Sequence, residues 1–308
     1  MTRSSWTGWT GWTGWVLGGG SVLAAAGFAW PFFASALPEH ARTAAPIVAF
    51  ALVPALIVAL ALTLDREMYT AKTVALLGVL SAVGAAVRIA GTGVGGVEAV
   101  FILLILAGRA YGARFGFLLG LLTIAVSSVL WGGFGPWTPF QMFACGWVGA
   151  GAALLPRIRS ARLEIAALVA YGIAASYLFG LVMNLWFWPF AVGSGTDISY
   201  AADAPLGENL ASFALYTLVT STLTWDTVRA ITTTVGIVLV GPAALAALRR
   251  AKLGRPGRAV RPGRAVRPGR ASTPRSTSLP GGGTRTHPST VPGAAAAPPT
   301  RPRPSARA

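Results

Sequence analysis

Residues 131–142 read WGGFGPWTPFQM. Glycine admits left-handed backbone that other residues avoid, and proline fixes φ and removes an amide donor. Three glycines and two prolines in this space exclude both a strand and a membrane helix. The stretch is therefore a stiff, aromatic turn that ends in a glutamine. On either side of it lie long apolar runs, 114–131 and 139–155, so the local reading is helix, turn, helix. The rest of the chain repeats that pattern.

Of the 308 residues, 54% are hydrophobic and 11% are charged. Soluble domains carry about a quarter charged residues, so the composition is that of a membrane protein. The net charge of +16 is unevenly placed. From Arg249 to Ala308 there are 14 Lys and Arg and no acid, which leaves 11 basic and 9 acidic residues in the first 248. The tail contains GRPGRAVRPGRAVRPGRA and much Ser, Thr, Pro and Gly. Such a composition buries too little apolar surface to offset the entropy of ordering, so residues 251–308 are expected to be disordered. Arginines beside a membrane segment fix topology and touch anionic lipid; nucleic acid is not expected as a partner. A second low-complexity run, WTGWTGWTGW at 6–15, has tryptophans suited to a membrane interface. No cleavable signal peptide is expected, since the first apolar run lacks a strongly basic leader and a clear cleavage site.

A bilayer core takes about 20 apolar residues per helix. Runs that meet this, some with help from their flanks, lie near 16–36, 45–64, 73–90, 97–109, 114–131, 139–155, 164–187 and 226–248. The expected fold is an all-α integral membrane protein of about eight transmembrane helices. The apolar region 210–225 is expected to form a separate surface segment, because 210–248 as one straight helix would far exceed the membrane thickness. Arg66 and Lys72, then Arg109 and Arg114, then Arg157, Arg159 and Arg162 mark alternate loops, and Arg249 and Arg250 fall on the same side. The intervening loops 91–96, 131–138 and 188–209 contain no Lys or Arg, and the last contains Asp197, Asp203 and Glu208. By the positive-inside rule both termini are cytoplasmic, the membrane is the cell membrane, and the WGGFGPWTPFQM turn faces outside.

Ionisable and polar residues collect at the outer helix ends. Arg88 precedes the glycine loop GTGVGG (91–96) and Glu98 follows it; Asp226 and Arg229 stand one helical turn apart in WDTVRA; Gln141 follows the Pro-rich turn; Asn184 lies late in its span. Charges in membrane spans are costly and usually face the interior. Together with Trp131, Trp137 and Trp225 they are candidate substrate-binding residues. The plainer reading makes Arg88–Glu98 and Asp226–Arg229 structural ion pairs. On 73–90, Gly78, Ala82 and Ala86 recur every fourth residue. Such a stripe serves close helix packing, either inside the bundle or against a partner subunit.

Other chemistry is absent from the sequence. There is no G-x-x-x-x-G-K-[ST], and the only lysines are Lys72 and Lys252. The acids of DREMYTAK (65–72) have no second acidic motif to face them. No Ser/His/Asp set or metal-ligand cluster is present, and His40 and His287 lie outside the expected core. Cys145 is the single cysteine, which excludes an internal disulfide and a multi-cysteine metal site; it sits in an apolar run and is expected to pack there. No enzyme activity, cofactor or metal is expected.

With GPWTPFQMFACGWVGAGAALLP at 135–156, MNLWFWPF at 183–190, WDTVRA at 225–230 and the six spans of 71–250, the chain resembles the substrate-binding S components of energy-coupling factor transporters. The resemblance implies a six-helix domain at 71–250, preceded by two additional spans at 16–70 after a cytoplasmic segment 1–15, and followed by the basic tail. It implies capture of a vitamin or related micronutrient from outside, of the cobalamin type or another B vitamin. It also implies ATP-driven import with a membrane T component and two ABC ATPases, with Gly78, Ala82 and Ala86 at the T-component interface. It places GTGVGG and WGGFGPWTPFQM in gating and binding loops. The alternatives are a stand-alone secondary transporter of a small molecule, or an integral-membrane enzyme.

Overall fold

A computed structural model describes residues 12–34, 44–65, 71–91 and 95–251. All are helix, turn or loop, and no strand occurs among them. In order, the helices are α1 (Trp12–Phe28), α2 (Trp30–Ala34), α3 (Ala44–Asp65), α4 (Ala71–Ala90), α5 (Val100–Tyr111), α6 (Ala113–Leu130), α7 (Thr138–Ala152), α8 (Ala161–Ala191), α9 (Leu206–Thr217) and α10 (Thr227–Arg250). A π-helical segment, Leu218–Asp226, joins α9 to α10. Residues 6–11 of the tryptophan repeat, half of the GTGVGG loop (92–94) and the tail after Ala251 lie outside the described residues, as do Arg66 to Thr70.

Four helices are long and apolar enough to cross a membrane: Ala71–Ala90, Ala113–Leu130, Ala161–Ala191 and the continuous run Leu206–Arg250. Shorter apolar stretches occupy Gly18–Phe28, Pro46–Ala55 and Val100–Tyr111. Each apolar run read from the sequence thus coincides with helix, with two revisions. The first, 16–36, breaks at Ala29, where α1 stops and α2 begins with Pro31 in its first turn. The second concerns 210–225, expected as a separate surface segment. It is continuous with the last helix, in a run of 45 residues. At 1.5 Å per residue that run is about 68 Å long, roughly twice a bilayer core. The π-helical stretch is what lets it change register midway without interrupting the backbone.

The tightest packing joins α6 to α7, and glycine is the cause. A Cβ on Gly116 would overlap the Gly149 carbonyl, one on Gly149 the Gly116 carbonyl, and one on Gly120 the Cys145 carbonyl. Backbone therefore lies directly on backbone, the arrangement that G-x-x-x-G spacing permits in apolar helices. Cys145 is buried at this contact, as its apolar setting implied. Gly112 alone links α5 to α6, with φ +100, a backbone region that disfavours any side chain. α8 packs along α10, and α5 fills the space between α7 and α10.

α4 packs chiefly on α6. Thr73, Leu77, Ser81, Gly84 and Ala85 make its buried face, and a side chain at Gly84 would meet Thr123. Gly78, Ala82 and Ala86 are on the opposite, exposed face, beside Val79 and Val83, and nothing lies within 4 Å of a Cβ built on Gly78. Packing inside this unit is thus the work of a different set of small residues.

The N-terminal helices cover one flank of the bundle through aromatic side chains. Phe28 and Phe50 meet the Phe140 ring edge-on, and Phe140 stacks on Trp186 at 4.6 Å. The Trp30 indole donates to the Trp186 carbonyl (3.0 Å), and the Trp147 indole to Ser21 (3.0 Å). Phe32 touches Trp188 and Phe213, and the Tyr200 hydroxyl donates to the Pro31 carbonyl. α1 to α3 are therefore docked on α7, α8 and α9.

Candidate functional site

Alternation of the helices brings the connections 91–99, 131–137 and 192–205 to one end of the bundle, and two polar clusters lie there. The larger centres on Arg229. Its Nε donates to Glu98, and its Nη1 donates to Asp226 Oδ1 (2.5 Å) and to the Ser176 carbonyl (3.1 Å). The guanidinium lies over the Phe179 ring, 4.8 Å from its centroid, and 5.6 Å from that of Phe101, a placement favoured by the ring quadrupoles. Ser221 donates to the second Asp226 oxygen at 2.7 Å. Asp226 is fully enclosed and Arg229 nearly so. Two carboxylates thus face one guanidinium across α5, α8, the π-helical segment and α10. The plainer reading, structural ion pairing, holds for Asp226–Arg229; for Glu98 the structure provides Arg229 as the ion-pair partner.

Beside this network is an open cavity of about 260 Å³. Phe179, Gly180, Met183 and Asn184 of α8 form one wall, and Tyr216 of α9 with Thr220, Ser221 and Trp225 of the π-helical segment the other; Arg229 closes the base. The Asn184 Nδ2 is enclosed with no hydrogen-bond partner. An orphaned amide of this kind costs about 1–3 kcal/mol. Trp225 is half exposed, and a side chain at Gly95 would touch its indole at 3.6 Å. Gly96, with φ +76, passes close over the Trp225 backbone. Gly95 and Gly96 therefore lie against the wall of the cavity.

The smaller cluster joins Arg88 to two neighbours: Nη1 donates to Ser127 Oγ and Nη2 to Gln141 Oε1, both at 3.0 Å. It ties α4 to α6 and α7 beneath the aromatic turn. In that turn Gly132 and Gly133 take positive φ, the Thr138 hydroxyl accepts from Gly135 N–H at 2.9 Å, and the Trp137 ring folds back over Gly135. Trp131, Phe134 and Trp137 are exposed.

The sequence-derived candidates thus divide into three groups. Asn184, Trp225 and Arg229 line the cavity, and Asp226 and Glu98 support it through Arg229. Arg88 donates to Gln141. Trp131 and Trp137 do not line the cavity and present their rings at the surface. The sequence reading missed Phe179, Gly180, Met183, Tyr216, Thr220 and Ser221. Gly180 and Asn184 are four residues apart and share a helix face, a signal open to inspection. Ser221 is five residues before Asp226, a spacing that α-helical periodicity assigns to different faces.

At the opposite end, Glu164 accepts from Arg109 Nε (2.8 Å) and Arg249 Nη2 (2.6 Å), while Arg109 also donates to the Leu155 carbonyl (2.7 Å). This clasp ties α5, α8 and α10 where the basic loops converge. Among the described residues no group of three or more His, Cys, Asp or Glu side chains comes together to hold a metal. Comparison of the chain with protein-family models, with curated proteins and with solved structures finds no match to any of them.

Proposed function

We propose that the chain is a membrane-embedded substrate-binding subunit that captures a small molecule from outside the cell, in the manner of an energy-coupling factor S component. One observation carries the reading: a cavity with an orphaned amide and an aromatic wall opens at the bundle end of the loops 91–96, 131–138 and 188–209, which hold no basic residue. Small-molecule sites are concave and fix their ligand through a few placed polar groups; this cavity is concave and supplies such groups, with more polar than apolar surface in its lining. In this reading eight helices span the bilayer, both termini are cytoplasmic, and the energy for import comes from an associated T component and two ABC ATPases. The exposed Gly78–Ala82–Ala86 face of α4 is the surface offered to the T component. Affinity purification from the native membrane tests it. Recovery of an ABC ATPase and a second membrane subunit is the expected result; recovery of the chain alone rejects the assignment.

A second reading has one observation in its favour. The π-helical interruption next to a buried charge network is the kind of discontinuity that secondary transporters place at their ion sites. Substrate uptake by the purified chain in liposomes, driven by an imposed ion gradient with no ATPase present, would establish it over the first.

A further inference from the structure

We infer that the ligand is an uncharged heteroaromatic compound of one or two rings with an amide-type edge, a ring or side-chain carbonyl next to an N–H. The inference rests on the binding-subunit reading and deepens it.

Size comes first. A volume of about 260 Å³ lies just below the usual range for drug-sized ligands. One or two fused rings match it. A corrinoid is far larger, so among vitamin-like ligands the cobalamin type is the least suited to this cavity.

Charge comes second. Arg229 is the one charged residue that lines the cavity, and it is already held by Glu98 and Asp226. With its guanidinium neutralised by these two carboxylates, Arg229 offers no spare positive charge to an anionic ligand. A cationic ligand finds no carboxylate in the lining, and both oxygens of the nearby Asp226 are engaged, by Arg229 and by Ser221. An uncharged ligand is the remaining match.

Hydrogen bonding fixes the edge. The Asn184 Nδ2 has no partner and belongs to a residue of the cavity lining. It calls for an acceptor, met by a carbonyl or ring nitrogen. Ser221 has given its proton to Asp226, and Thr220 has given its own to the Tyr216 carbonyl at 2.6 Å. Both hydroxyl oxygens on that wall are therefore left with lone pairs, and call for a donor. A carbonyl beside an N–H supplies both. The Trp225 indole and the Phe179 ring provide the aromatic faces, and stacking favours a planar ligand.

Binding to the purified full-length chain is measured by titration calorimetry and by tryptophan fluorescence. The probes are nicotinamide, uracil, hypoxanthine and lumazine, against nicotinate, toluene and cyanocobalamin. At least one of the first four is expected to bind tenfold or more tighter than each of the other three. Asn184→Leu is expected to weaken that probe tenfold or more, with a melting midpoint no lower than that of the parent chain, and Asn184→Gln to recover part of the loss. Tightest binding by nicotinate or cyanocobalamin overturns the inference, and so does failure of all four heterocycles. Equal affinity in the Asn184→Leu protein overturns it too. Subunit recovery is scored separately. Assembly with ATPases but no heterocycle binding rejects the ligand class and keeps the transporter reading. Heterocycle binding without assembly does the reverse.

Discussion

The carboxylate of Asp226 occupies the space that a side chain at Gly180 would fill. The two residues sit on different helices, and the missing Cβ lets the carboxylate settle against α8, with Arg229 bridging to the Ser176 carbonyl one turn earlier. Gly180→Ala should push the carboxylate out of place and strain the network. The expected loss is about 1–3 kcal/mol, as for other overpacked sites, read as a lower midpoint in thermal unfolding of the detergent-solubilised protein. An unchanged midpoint would mean that α8 yields freely at this point.

Removing the guanidinium has a larger consequence. Arg229→Met leaves Glu98 and the buried Asp226 without the guanidinium that both contact. Breaking one partner of a buried ion pair costs about 3–5 kcal/mol, so little folded protein is expected from this variant. Adding Glu98→Gln and Asp226→Asn should restore much of the yield, because the uncompensated charges are gone. Size-exclusion profiles of the single and triple variants make the comparison.

Two glycine-bearing faces should respond oppositely to bulk. Gly149→Leu drives a side chain into the Gly116 backbone and should cost at least about 1–3 kcal/mol. Gly78→Leu enters open space and should change stability by no more than about 0.5 kcal/mol. If α4 is the subunit face, Gly78→Leu should nonetheless reduce recovery of partner subunits. Melting curves and pull-down yields measured on the same preparations separate the effects.

The aromatic turn divides from the cavity in the same way. Trp131→Ala and Trp137→Ala remove exposed rings and should leave the affinity for the tightest-binding heterocycle within about twofold, whereas Trp225→Ala should lower it tenfold or more, about 1.4 kcal/mol. Calorimetry on the three variants checks this. Equal losses at all three positions would return the turn to the binding site.

Orientation is accessible to labelling. Cysteines placed at 194–196 should react with an impermeant maleimide in intact cells, and those at 157–159 only after permeabilisation, following the charge asymmetry of the loops. The native Cys145 is buried and should add little background. The opposite pattern would place the cavity mouth in the cytoplasm.

Much of the architecture was legible because apolar length and loop chemistry are local properties. The turn at 131–137, the small-residue stripe of α4 and the helix positions all follow from short stretches of chain. The Asp226–Arg229 pair was legible for the same reason, being one helical turn apart. The Glu98–Arg229 pair was not, since 131 residues separate them and only the packing of α5 on α10 brings them together. Small residues are ambiguous for a related reason. Gly116, Gly120 and Gly149 spell a close-packing surface as plainly as Gly78, Ala82 and Ala86 do, and the sequence does not say which surface has a neighbour. The Trp131 and Trp137 assignment went beyond what composition supports, because a tryptophan in a turn serves a membrane interface as well as a pocket.

In the segment Leu218–Asp226, side chains meet five residues apart: Ser221 reaches Asp226, and the Thr227 hydroxyl reaches the Thr222 carbonyl. An α-helix of the same sequence would part both pairs and rotate Trp225 away from Gly95. Chain length within this segment is therefore a coded quantity, as meaningful as any side chain. Deleting a single residue between 222 and 224 would offer the chain an uninterrupted α-helix from 206 to 250. The protein would keep its span and surrender its cavity wall, so a one-residue change in length would act as a switch between a binding helix and a plain one.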